Sequence, residues 1–401
     1  MACLFAEEQC PVSAAVVADV VDLTLRLVAA PSPNPPGDER AAAAVLIQYL
    51  AGTGGLEINE VGPRPERVSV IVSAGTGARA LILAGHLDTH PVAGNWQHNA
   101  DGEQVGGRLY GRGTTDIKGG VAAMAVAFRM AVEEGLPTGT RLVLLANADE
   151  ETGGAEGVAA IANHPALPIA PVVVAEPSGV FEPWEALYVA ARGTTRFVLR
   201  ADGTPTHSSL AGREGVESAI ECIDRALERL RSGLQELRRE HPVYGLAGRM
   251  TVVRVVGGEG YGVVPGSAEA EVELRVMPGI TQADLEREIR SITDEIGVEC
   301  AFAEGGLRWM APSDLPIDHD LVMAASTAWR DVFGSDPALA CFPGGTDARL
   351  FSASGRSALG GVGPGALVRA HHPDEYVEII ELETAVELYA AIIRRFFEEE
   401  I

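Results

Sequence analysis

The chain of 401 residues is poor in several things, and each scarcity excludes a class of function. It has a single lysine, Lys118, in a chain whose other cationic side chains are arginines. Arginine and lysine differ in shape and hydration, so one isolated ammonium marks a position where the choice matters. Cysteine is sparse and scattered, at Cys3, Cys10, Cys222, Cys300 and Cys341, with none in C-x-x-C spacing. That leaves no thiolate metal site or disulfide ladder to read, and it fits a reducing, cytoplasmic location. Positive charge is scarce too: 31 Lys and Arg stand against 56 Asp and Glu, a formal net charge of −25. Nucleic acid and anionic membrane surfaces are therefore not expected partners, because positive charge dominates those affinities. No apolar run reaches membrane-spanning length. The opening "MACLFAEEQC" lacks a basic region and a long apolar region, so no signal peptide is expected. No Gly-rich phosphate loop follows the first strand, which speaks against a nucleotide-binding α/β protein.

What is present is apolar surface, at 47% of residues, and enough length for two cores. Helical periodicity flanks the loop "PSPNPPG" on both sides. "VSVIVSAG", "ALILAGHLD", "TRLVLLANADEE" and "APVVVAEPSG" read as strands, and "TTDIKGGVAAMAVAFRMAVEEG" as a helix ending at glycine. Continuous apolar strands alternating with helices predict an α/β class, with a mostly parallel central sheet flanked by helices. Near Ala190 the pattern changes. "TTRFVLRA", a helix from Glu214 to about Arg238, "MTVVRVVGG", "AEAEVELRVMP", a helix from Thr281 to Ile296 and "GVECAFAEG" give the order β-α-β-β-α-β. From about Leu307 the chain returns to helix and loop and closes on "YVEIIELETAVELYAAIIRRFFEEE", read as one strong helix. The expected organisation is a catalytic domain from 1–190 and 306–401, interrupted by an inserted domain at 191–305.

The stretch "LILAGHLDTHPVAG" puts His86 and Asp88 two apart at the end of a predicted strand, on one face. Asp116 stands at the predicted helix entrance. Glu150 and Glu151 close one strand, and Glu176 closes another. In open α/β sheets ligands bind beyond the carboxyl ends of strands, so these segments converge on one sheet edge. "RAHHPDEYVE" adds His371 and His372 from the C-terminal part. Singly, an aspartate at a helix start is an N-cap, an acidic pair before glycine is a solvated loop, and a lone histidine is structural. Together they form a carboxylate-rich cluster that would repel itself without a cation. Imidazole and carboxylate without thiolate suit zinc, with manganese and cobalt also compatible. Two ions sharing a bridging carboxylate would activate water for attack on a carbonyl.

The motifs "GHLDTHP", "GRGTTDIKGG", "DEET", "AEPSG", "FPGGTDARLF" and "AHHPDEYV" run through nearly the whole chain in order. In them the chain resembles the dinuclear metallohydrolase family of acetylornithine deacetylase, succinyl-diaminopimelate desuccinylase, aminoacylase and glutamate carboxypeptidase. The resemblance implies that His86 and Glu176 bind one metal, Glu151 and His371 a second, and that Asp116 bridges them. It implies Glu150 as general base and Asp88 as the carboxylate that orients His86. His371 is preferred to His372 because the family places its ligand four residues before the glutamate that is Glu375 here. The inserted domain resembles the family's lid, through which many members form homodimers. His207 in "GTPTHSSLAG" matches a lid histidine that stabilises the oxyanion, and Arg275 in "VELRVMPG" an arginine that binds a substrate carboxylate. For Arg275 the alternative is a surface salt bridge. Gly345, Thr346 and Asp347 match a substrate-pocket loop. One departure is Gly262 in "YGVVPGS", where the family often has an asparagine that holds substrate from the lid. Its loss enlarges or loosens the pocket and points to a substrate bulkier than acetylornithine.

The expected function is metal-dependent cleavage of the amide of an N-acyl amino acid, or a related small amide with a free carboxylate, with two divalent ions as cofactors. A carboxypeptidase or dipeptidase with the same chemistry is the alternative within the class. A non-catalytic metal-bound binding protein is the alternative outside it, and the presence of Glu150, a base rather than a ligand, argues against it.

Overall fold

The computed structural model describes residues 13–304 and 308–398. Cys3, Cys10, the stretch read for a signal peptide and the expected boundary at 305–306 lie outside these residues. The chain divides into two compact units, one up to Ala190 together with the chain from Asp314, the other Ala191–Ser313.

The first unit is built on a six-stranded sheet in the order Leu56–Val61, Ser69–Gly75, Thr140–Asn147, Arg79–His86, Val172–Val174 and Ala358–Leu359. Arg79–His86 sits inside it, parallel to both neighbours, with His86 opposite Asn147 and Ala84 opposite Val174. Ala358–Leu359 extends the parallel part, whereas Leu56–Val61 and Ser69–Gly75 close the other side antiparallel. Strands covered on both faces need apolar side chains throughout, which is why Leu81, Ile82, Leu83, Leu142, Val143, Leu144 and Leu145 are all buried. On one face Ile71, Ile82, Val143, Val158, Ile161, Val172 and Phe351 share a core. Each such side chain contributes roughly 1.5–3 kcal/mol by leaving water. The helices Ala14–Val28, Lys118–Glu134, Asp320–Phe333 and Ile379–Glu398 pack together elsewhere in the unit, with Lys118–Glu134 against Arg79–His86.

Two glycines set how close that helix comes. A Cβ on Gly120 would lie 2.8 Å from the Ala175 carbonyl oxygen, and one on Gly85 would lie 2.7 Å from a methyl of Val121. The helix entrance therefore rests directly on the strand ends that carry His86 and Glu176. A small antiparallel sheet of Glu103–Val105, Arg108–Tyr110 and Tyr376–Glu378 ties the C-terminal histidine segment to the same end of the unit. The single terminal helix expected from sequence thus begins with a strand: Tyr376–Glu378 pairs with Arg108–Tyr110, and the helix starts at Ile379. Leu56–Val61, half-exposed along its length, is a further strand that lacks the continuous apolar run marking the others.

The second unit has Gly193–Asp202 flanked by antiparallel Ser267–Val276 and Glu299–Phe302, with Arg249–Gly257 at the edge. The helices Ala219–Gly233 and Gln282–Glu295 cover one face, so Ser267–Val276 alternates between buried and half-exposed residues. The helix expected from Glu214 starts later, where the Ser218 side chain accepts the Glu221 N–H. It breaks at Leu234 before a short turn Gln235–Arg238. Among the described residues no helix is long and apolar enough to cross a membrane.

Candidate metal centre and active site

His86 is the last residue of its strand, buried to 1% exposure. Its Nδ1 lies 2.8 Å from the main-chain oxygen of Asp88. A carbonyl only accepts, so Nδ1 carries the proton and donates it, and Nε2 faces the site. Nε2 lies 3.1 Å from Asp116 Oδ1 and 3.8 Å from Glu176 Oε1. The other oxygen of Asp116, Oδ2, lies 3.2 Å from His371 Nε2, which in turn is 3.1 Å from Glu151 Oε2. Asp116 thus offers one carboxylate oxygen to each of two imidazoles. Donor atoms of His86, Glu150 and Glu176 fall within 4.8 Å of one another, as do those of Asp116, Glu151 and His371.

Each of these side chains is delivered by a local feature. Asp116 stands just before the helix that begins at Lys118. It is fixed by Glu375, whose Oε1 accepts the N–H groups of Gly113, Thr115 and Asp116 at 3.0, 3.0 and 3.1 Å. The other Glu375 oxygen takes the buried guanidinium of Arg112. Glu150 and Glu151 sit on a short turn after Asn147, entered through Asp149 at φ 67°, a left-handed conformation that only surrounding contacts hold in a non-glycine residue. His371 is also left-handed, at φ 59°, and the ring of His90 stacks on it at 4.4 Å between centroids. His90 is the second histidine of "HLDTH". His372 turns away and places its Nδ1 2.8 Å from the Pro373 carbonyl oxygen.

The electrostatics suit a cation. Burial would depress His86, but the Asp116 hydrogen bond and the charges of Asp88, Asp116 and Glu150 hold its pKa well above 6.5. The hydrogen bonds to Asp116 and Glu151 raise His371 to about 10. Burial and then Asp347 push Glu150 well up, and burial with Asp116 and Glu150 does the same to Glu176. Burial also opposes ionisation of Asp116, yet the two histidines hold its pKa low. Buried carboxylates gathered around two imidazoles make a cluster whose mutual repulsion a divalent cation would relieve. Nitrogen and oxygen donors without sulfur fit zinc, cobalt or manganese.

Several expected residues are placed differently from the reading of the sequence. The Asp88 carboxylate does not take the His86 N–H, which goes to the Asp88 carbonyl; its nearest oxygen is 3.6 Å from Nδ1. It accepts instead the main-chain N–H groups of Glu150 and Glu151, at 3.1 and 3.0 Å. In the Gly345–Asp347 loop, Thr346 is fully buried and its hydroxyl caps Ala348. Asp347 is 2% exposed and takes the Asn147 amide at 2.6 Å. Only Gly345 of the three is partly exposed, so the loop meets solvent through backbone and not through side chains. Glu375 and Arg112 had no signal of their own in the sequence beyond the spacing that counted Glu375 from His371.

In the second unit, His207 is exposed, and its Nδ1 accepts the Ser209 N–H at 3.2 Å. That leaves the proton on Nε2, available as a neutral donor. Arg275 donates to Thr194 Oγ1 at 2.9 Å and pairs with Glu273 at 2.9 Å. Gly262 lies at φ +86° with open space where a Cβ would stand.

Residues 82–395 match the peptidase family M20/M25/M40. A succinyl-diaminopimelate desuccinylase of Stenotrophomonas maltophilia is 30% identical over 390 residues, covering 94% of this chain and 98% of its own. The enzyme of that name from Variovorax paradoxus is 28% identical over 394 residues, covering 94% and 97%. Among solved structures, the M20 family metallo-carboxypeptidase Sso-CP2 of Sulfolobus solfataricus superposes with a TM-score of 0.74 at 16% identity, over 94% of this chain and 99% of that one. The di-peptidase Dug1p of Saccharomyces cerevisiae gives 0.71 at 15%, over 96% and 98%, in agreement on the fold. These matches support a metal-dependent hydrolase and not the non-catalytic binding protein. With the family motifs carried at the ends of a mostly parallel sheet, the chain belongs to peptidase family M20/M25/M40, hydrolases that act on amide bonds.

Proposed function

We propose that the chain hydrolyses the amide of an N-acyl amino acid, or of a related small amide with a free carboxylate, using two divalent ions, with zinc the expected pair. The observation that carries this reading is the Asp116 carboxylate, with one oxygen 3.1 Å from His86 Nε2 and the other 3.2 Å from His371 Nε2. His86 and Glu176 would hold one ion, Glu151 and His371 the other, and Asp116 both. When bound, the pair polarises a carbonyl and makes water a nucleophile at neutral pH. Glu150 takes the proton from the attacking water on its carboxylate and returns it to the nitrogen of the leaving amine. His207, through Nε2–H, donates to the developing oxyanion. Arg275 binds the substrate carboxylate, exchanging it for Glu273.

The names of the two desuccinylases describe removal of a succinyl group from an amine of diaminopimelate, a substrate of this chemical class. A dipeptidase or carboxypeptidase would use the same residues. A panel of N-acyl amino acids and dipeptides, assayed with added zinc, cobalt or manganese, separates the two: the reading expects the acyl amino acids to turn over faster. Faster cleavage of the dipeptides would replace it with the peptidase alternative.

The inserted unit is proposed as a lid and homodimer interface. Its edge strand Arg249–Gly257 exposes Val253, Val255 and Val256. An unpaired apolar edge is a ready template for a second copy. A cytoplasmic working place is proposed from the scarce, dispersed cysteines.

A further inference from the structure

The loop "PSPNPPG" holds a residue that the catalytic scheme leaves unused. The side-chain amide of Asn34 is buried at 2% exposure. Its oxygen accepts Arg67 Nη2 at 2.8 Å, and because a guanidinium only donates, the Nδ2 end must face the other way. Nδ2 reaches Asp88 Oδ2 at 2.9 Å, Thr152 Oγ1 at 3.1 Å and Asp149 Oδ1 at 3.2 Å. Asp88 and Asp149 are the two carboxylates that grip the Glu150–Glu151 turn. Asp88 accepts the N–H of Glu150 and of Glu151, and Asp149 accepts Thr152 Oγ1 at 2.6 Å and the Glu156 N–H at 2.8 Å. One neutral amide therefore stands between two buried anions and gives each a donor.

Behind it, Arg67 is 3% exposed and uses its whole fork: Glu39 at 2.7 Å, Asp149 at 3.2 Å and Glu156 at 3.2 Å, besides Asn34. The loop is shaped to admit it. Gly37 lies at φ +78°, and a Cβ there would sit 1.6 Å from Arg67 Nη1. The same loop is laced to the strand end after His86, with Asn34 N–H donating to the Thr89 carbonyl at 2.9 Å and Thr89 N–H to that of Ser32 at 3.0 Å.

We propose that Asn34 and Arg67 are positioning residues: acting through Asp88 and Asp149, they set the backbone of the Glu150–Glu151 turn, and with it the proposed base and a proposed metal ligand. This rests on the reading of Glu150 as base. Misplacement of a catalytic group by a fraction of an ångström lowers the rate with little effect on substrate binding. Asn34→Ala in the metal-loaded full chain should lower kcat per loaded site by roughly 10–100-fold, with KM within about threefold. Asn34→Asp, which sets a third carboxylate against Asp88 and Asp149, should cost more. A second readout does not depend on activity. Amide hydrogen exchange across 149–152 should quicken by at least about tenfold in Asn34→Ala, with the rest of the chain unchanged. Arg67→Lys keeps the cation but loses the fork, and stands in should Asn34→Ala fail to fold. It should produce the same exchange signature, and the double variant should cost no more than the worse single. Unchanged exchange at 149–152 overturns the proposal, whatever the turnover. Quickened exchange with unchanged metal-dependent turnover would instead remove Glu150 from the role of base.

Discussion

Asp116 Oδ2 and His371 Nε2 lie 3.2 Å apart, and this contact fixes how the metal-free chain should respond to pH. His371 is raised to about 10, chiefly by hydrogen bonds to Asp116 and Glu151. A folded pKa above the unfolded 6.5 gives stability that is complete below 6.5 and lost as pH rises through about 10. His86 is shifted the same way. Glu150 and Glu176, raised mainly by burial, become costly to ionise as pH climbs above their ordinary range, which acts in the same direction. After chelation the melting temperature should fall steadily between pH 6.5 and 10, and saturating metal should flatten that dependence. A chelated protein whose melting temperature stays level or rises over that interval would show that the cluster is not the repulsive cation cage described.

Glu375 carries structural weight out of proportion to its visibility. Its partner Arg112 is 4% exposed and reaches Glu375 through Nη1, while its buried Nε and Nη2 find no hydrogen-bond acceptor among the described residues. Removing one partner of such a buried pair costs about 3–5 kcal/mol, because the other charge is left uncompensated. Glu375→Ala should lower the urea-unfolding free energy by that amount and release the N–H groups that hold Asp116. A change under about 1 kcal/mol, the range of an exposed pair, would contradict the assignment.

Substrate charge tests Arg275. Its guanidinium already holds Glu273 at 2.9 Å and Thr194 at 2.9 Å, so a substrate carboxylate must replace an existing anion. Charge-assisted bonds contribute roughly 1.5–3 kcal/mol. An N-acyl amino acid should therefore be cleaved at least about tenfold faster than its carboxamide. Equal rates would leave Arg275 as the surface salt bridge.

Self-association tests the inserted unit. Sedimentation should show a dimer that weakens on dilution. Val255→Glu, placed on the exposed edge strand at a residue 53% accessible, should shift it toward monomer at a given concentration. A monomer at every concentration removes the lid interface from the account.

The sequence exposed the residues whose position follows from local rules. His86, Glu150, Glu151 and Glu176 end apolar strands, and strand ends in an open sheet converge whatever the details of packing. The α/β class followed from the same continuous apolar runs. Asn34, Arg67 and Glu375 stayed hidden, because their contacts join segments far apart in the chain: Asn34 reaches Asp88 across 54 residues, and Glu375 reaches Asp116 across 259. No periodicity or motif spacing encodes such a pairing. Thr346 and Asp347 are the opposite case, residues named from a motif whose side-chain direction only the fold supplies. Their match to a pocket loop says nothing of side-chain direction, and Asn147 and the turn at Ala348 draw both inward.

Glu150→Gln asks whether Glu150 moves the proton in the proposed metal-dependent amide hydrolysis. Gln is nearly isosteric and cannot take a proton at neutral pH. Metal content and amine release from an N-acyl amino acid should be measured on the same preparations of wild type and variant. Both should hold two divalent ions per chain, with turnover in the variant lower by at least ~10²-fold, the lower bound for loss of a general base. A variant that keeps two ions and near-full turnover would contradict the role of Glu150 as base.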